Sequence, residues 1–89
     1  MKTRFMINGR IRYYDLNRIT SLQSLKKGDG VMLRRRNTQR LVIGKIFAIV
    51  NEYVTIVIPV KGEEPDYMLF TPKKLYRDVY SAEECKEGS

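Results

Sequence analysis

The residues with most chemistry to offer are arginines. In "LRRRNTQR", Arg34, Arg35, Arg36 and Arg40 fall within one short stretch, and the planar guanidinium fork matches phosphate oxygens and guanine edges. If the stretch begins as a strand, alternation puts Arg34 and Arg36 on one side and Arg35 on the other. The intervening Asn, Thr and Gln add donors and acceptors for a sugar-phosphate backbone or for bases. Solvated charge on an ordinary loop is the competing use of the same residues.

Further cations stand where they can extend this cluster. Lys26 and Lys27 precede a Gly-Asp-Gly turn, and Arg10, Arg12 and Arg18 surround Tyr13 and Tyr14. If that N-terminal segment packs beside the arginine loop, a positive stripe forms, with Tyr14 offering a ring on which an unpaired base can stack. A half-buried tyrosine with only its hydroxyl wet is the competing arrangement. Lys73 and Lys74 form a second, isolated basic pair.

Catalytic chemistry finds little support. The chain has no histidine and one cysteine, Cys85, which removes the usual zinc sites and the Cys/His and Ser/His nucleophile systems. Glu63-Glu64 and Glu83-Glu84 lie in polar stretches with nothing to raise a carboxyl pKa. Gly28 and Gly30 lack the strand-then-helix setting of a phosphate-cradling loop. No enzyme activity, metal or cofactor is expected.

The charge is uneven along the chain. The net charge is +7, but residues 1–45 hold twelve Lys or Arg against two Asp (+10), while residues 46–89 hold five against eight Asp or Glu (−3). A fold that keeps the first half on one side presents a positive face to polyanions. Excess cations that merely keep a small protein soluble would look similar.

The elements that must position these residues read as short strands. Eighty-nine residues with 43% hydrophobic content suit one domain with one modest core. "RFMINGRIRYY" sets Asn8-Gly9 between strand-forming runs, predicting a hairpin over residues 4–14 in which Ile7 faces Arg10, Phe5 faces Arg12 and Thr3 faces Tyr14. Leu16, Ile19, Leu22 and Leu25 recur every three residues, predicting short helical turns. "VMLRRR" is a strand, and "RLVIGKIFAIV" is a long central one with Ile46, Ala48 and Val50 on one side and Phe47 and Ile49 on the other. Asn51-Glu52 turns into "YVTIVIPV", where Val54, Ile56, Ile58 and Val60 point one way. "YMLF" is a further strand, "TPKKL" a single turn, "YRDVY" a short closing strand, and residues 81–89 a frayed acidic tail.

From Leu25 to Tyr80 this order resembles the SH3-like small barrels. "LKKGDGVML" followed by "IGKIFAIVNEYVTIVI" is similar to the Tudor and KOW subgroup, where a Gly-Asp turn opens the first strand and a glycine bends the second. The loop "RRRNTQR" lacks the second glycine usual in KOW domains. Phe47, Tyr53, Tyr67 and Phe70 are too few, without tryptophan, to carry over a methyl-reading cage. The resemblance implies a binding module with no enzyme activity.

The expectation is therefore a mostly β domain over residues 1–80: an SH3-like barrel of about five strands (residues 21–80) preceded by the hairpin and the start of a connector (residues 1–20), with one or two short helical turns. It is expected to be cytoplasmic, with no membrane contact, since the sequence has neither a spanning run nor a secretory leader. DNA or RNA is the expected partner, gripped at phosphates by Arg10, Arg12, Arg18, Lys26, Lys27, Arg34, Arg35, Arg36 and Arg40. The alternative is a protein-interaction module, such as a small phage-type regulator, that docks on an acidic protein surface or extends a partner's sheet. The oligomeric state is left open.

Overall fold

Alternation of apolar and polar residues dictates most of the backbone. The computed structural model describes residues 1–7, 9–35 and 38–85. Asn8, Arg36, Asn37 and residues 86–89 lie outside them. Seven strands run through the described residues: β1 (Lys2–Ile7), β2 (Arg10–Arg18), β3 (Gly30–Arg34), β4 (Leu41–Val50), β5 (Tyr53–Ile58), β6 (Asp66–Phe70) and β7 (Tyr80–Cys85), with one helix, α1 (Pro72–Asp78). The chain is mostly β, and all the strand pairings are antiparallel.

The strands form one sheet in the order β1-β2-β7-β3-β4-β5-β6. The N-terminal hairpin joins that sheet through β2, which pairs with β7 from Tyr13↔Cys85 to Arg18↔Tyr80. Its internal register is the expected one, with Ile7↔Arg10, Phe5↔Arg12 and Thr3↔Tyr14.

Each face of the sheet carries its own apolar cluster, because β3 is buried on both sides. Val31 and Leu33 join Ile46, Val54, Ile56, Ile58 and Phe70 on one face, where Leu75 and Val79 from α1 and its C-terminal flank cover them. Met32 points the other way and packs with Tyr14, Leu16 and Ala82. The sheet is curled: Arg35, just past β3, forms an ion pair with Asp66 at the start of β6, although three inter-strand steps of about 4.8 Å would separate those strands in a flat sheet.

Four expectations are corrected. The three-residue recurrence from Leu16 to Leu25 is not helical beyond one 3-10 turn, Leu22–Ser24. In an extended chain residues three apart point to opposite faces, so Leu16 enters one cluster and Ile19 the other. The side-chain phase of β4 breaks at a bulge between Ile46 and Ala48. This turns Ile46 and Ile49 to the larger core and leaves Phe47 exposed.

"YRDVY" is not the closing strand. The Thr71 hydroxyl accepts from the Lys74 N–H (3.4 Å) and Pro72 starts the helix, which then runs through Tyr76, Arg77 and Asp78 with Leu75 fully buried. Finally, Ser81–Cys85 are no frayed tail. They form most of β7, lodged between β2 and β3, with Ala82 buried against Leu16 and Met32.

Candidate nucleic-acid interface

Strand parity decides which cations share a surface. Arg18 pairs across to Tyr80, and Tyr80 to Met32, so Arg10, Arg12 and Arg18 of β2 lie on the same sheet face as Arg34 of β3 and Lys45 of β4. Arg35 has the opposite parity. Its guanidinium turns toward Asp66, and its Nε is buried without a hydrogen bond among the described residues. The expected split between Arg34 and Arg35 is observed. Arg36 lies outside the described residues.

The face is not uniformly available. Arg12 donates to Glu84 at 2.7 Å, and that carboxylate raises its pKa above the usual guanidinium value. Tyr14, expected as a stacking surface, is only 8% exposed. Its ring meets Phe5 edge-on at 5.8 Å, and burial pushes its hydroxyl pKa up. No face remains there for a base. Arg10, Lys26, Lys27 and Arg40 are exposed and have no carboxylate partner among the described residues.

A further grouping of cations lies beside α1. A groove of about 500 Å³ is lined by Met32, Leu33, Leu41, Met68, Leu69 and Phe70, with Arg34, Lys74 and Arg77 among its polar residues. Arg18 stands behind it, donating to the Tyr80 hydroxyl at 3.0 Å and lying 5.5 Å from that ring's centre. Asp78 is the one carboxylate in the described lining. Arg77 grips it through Nε (2.9 Å) and Nη2 (3.0 Å), which holds its pKa below the carboxylate norm. The loop before β4 closes one wall: the Gln39 carbonyl accepts from Arg34 and the Arg35 N–H reaches the Arg40 carbonyl at 2.7 Å.

Sequence reading underrated Lys74 and missed Arg77. They sit three residues apart on one helical turn, so they share a face, but the helix signal was confined to Thr71-Pro72 and the Leu75/Val79 spacing. Phe47 and Tyr67, two of the four rings set aside in the sequence as too few for a cage, are in contact at 5.1 Å and 77°, with the Lys27 ammonium 5.9 Å from the Phe47 ring centre. Phe47 has the parity of Lys45, whose row runs through Val57 to Tyr67, so the pairing of three strands brings the two rings to one face. Phe70, considered beside these rings in the sequence, is buried in the core on the other face.

Among the described residues no cluster of His, Cys, Asp and Glu is set to hold a metal ion, and no helix is long and apolar enough to cross a membrane. No family model matches the chain, and neither does any curated protein or solved structure.

Proposed function

We propose that this chain is a small nucleic-acid-binding module that grips phosphates and reads little base sequence. The observation that carries the reading is the groove beside α1. Arg34 and Lys74 line it with no ion pair among the described residues, Lys74 shares the field of Asp78 with Arg77, which grips that carboxylate directly, and Arg18 is held beside the lining residue Tyr80. A phosphodiester supplies the negative charge that this lining lacks, and guanidinium and ammonium donors suit its oxygens. Lys26, Lys27, Lys45, Arg10 and Arg40 extend the positive field that steers a polyanion toward the groove.

An SH3-like reading needs its closing strand moved from residues 76–80 to β7 (Tyr80–Cys85); the order β7-β3-β4-β5-β6, with one short helix between β6 and β7, then supports it, with β1-β2 as an added hairpin on β7.

The test is a gel-shift series against duplex DNA, single-stranded DNA and RNA. With about four phosphates engaged on a duplex, affinity falls roughly a hundredfold between about 50 and 200 mM salt. Lys74→Ala weakens binding to all sequences alike and reduces the log-log salt slope by about 0.9. Affinity indifferent to salt, or no complex at low salt, rejects the proposal.

The outer edges of β1 and β6 have no neighbouring strand in the sheet order, which favours a protein-interaction module as the second reading. Pull-down with and without nuclease separates the two: a protein partner survives digestion, and a nucleic-acid bridge does not.

A further inference from the structure

The outer face of β4, β5 and β6 exposes more ring and aliphatic surface than a solvated sheet requires. Phe47 is 45% exposed, Tyr67 56% and Leu69 65%. Pairings Lys45↔Val57↔Tyr67 and Thr55↔Leu69 place Lys45, Val57, Tyr67, Thr55 and Leu69 on one face. Phe47, two residues along from Lys45, shares that face, and its ring stands nearly perpendicular to that of Tyr67. Two exposed rings at a right angle form a corner, in which a flat heterocycle lies against one ring and abuts the other.

Charge selects the occupant of that corner. The turn before β3 is tied to β4 at the bulge, with the Gly28 N–H donating to the Ile46 carbonyl (2.8 Å) and the Ile46 N–H to the Asp29 carbonyl (2.9 Å). Gly28 has φ +95°, which allows the tight reversal. This fastening holds Lys27 over Phe47, while Lys45 stands in the same row as Tyr67. The Asp29 carboxylate in the same turn accepts from the Lys26 N–H at 2.8 Å. On the other side Leu69 belongs both to this face and to the cationic groove, so corner and groove adjoin along β6.

We propose that the Phe47–Tyr67 corner is a base-stacking site for single-stranded nucleic acid. The strand's phosphates meet Lys27 and Lys45 at one border and pass Leu69 into the groove of Arg34 and Lys74 at the other. This inference rests on the nucleic-acid reading above and adds a preference: a base already stacked in a duplex has no free face for the corner, whereas an unpaired base does.

The experiment is fluorescence anisotropy with a labelled oligodeoxythymidine and, in parallel, a labelled duplex. Phe47→Ala and Tyr67→Ala each weaken single-strand binding about tenfold or more and leave duplex binding within about twofold. Tyr67→Phe retains single-strand affinity and Tyr67→Leu loses it, which separates stacking from general hydrophobic contact. Circular dichroism confirms that these surface variants stay folded. Salt-dependent binding that ignores all four substitutions overturns the stacking site and leaves the phosphate reading standing. So does equal loss for single strand and duplex. No binding to either probe at low salt rejects both. Tighter binding of polyglutamate than of the oligonucleotide rejects both as well, in favour of an acidic protein partner.

Discussion

Tyr14 and the arginines around it show how one residue type is divided between structure and surface. Arg12 is tied to Glu84, Arg18 leans on Tyr80, and Arg35 closes the curl of the sheet on Asp66, whereas Arg10 and Arg40 project without carboxylate partners among the described residues. Tyr14 itself belongs to the core beneath the hairpin. Its pKa is raised first by burial and then by the nearby Glu84 charge. A group with a raised folded pKa contributes stability that is complete below the unfolded value of about 10 and is lost as pH climbs through the folded value. Tyr14→Phe therefore gains on the wild type above about pH 10, because it has no phenol to ionise. Melting temperatures of both proteins from neutral to strongly alkaline pH check this; a gap between them that stays constant across the series contradicts it.

Among the elements, the join between β3 and β7 is the narrowest in the sheet, with only Val31↔Ser81 and Met32↔Tyr80 in register. It links β1, β2 and β7 to the rest of the sheet. A Cβ on Gly30 would sit 2.5 Å from the Ala82 carbonyl oxygen, a backbone atom that no rotamer change can move. Gly30→Ala is expected to cost about 1–3 kcal/mol and to loosen β1, β2 and β7 ahead of β4 and β5. Hydrogen exchange reads the order of protection; uniform protection with unchanged stability contradicts the claim.

Elements whose specification is local were legible in the sequence. Asn8-Gly9 fixes a hairpin register by turn length, and Val54, Ile56 and Ile58 declare β5 by strict alternation. Elements specified by their neighbours were not. β7 buries a single apolar residue, Ala82, and exists because β2 and β3 flank it; the second half of α1 reads as strand, and is helix because Thr71 caps the turn before it and Leu75 fills the core. The candidate interface divides the same way. Exposed cations are visible as letters, but the groove of Arg34, Lys74 and Arg77 requires α1, and the Phe47–Tyr67 corner requires the pairing of β4, β5 and β6.

For the whole molecule, the net charge of +7 is neither scattered evenly nor cancelled. Strand parity gathers Arg10, Arg12, Arg18, Arg34 and Lys45 on one face, and α1 brings Lys74 to the same groove as Arg34. Three carboxylates, Glu84, Asp66 and Asp78, neutralise Arg12, Arg35 and Arg77 in place, which trims the field without removing it. Bound as proposed, a nucleic-acid backbone loses counterions to this surface. The most direct measurement is the affinity for a single-stranded oligonucleotide across a salt series. With about four phosphates engaged, the log-log slope is near −2.8, and it becomes shallower in Arg34→Ala and Lys74→Ala variants. A slope near zero, or one that neither substitution alters, contradicts the claim.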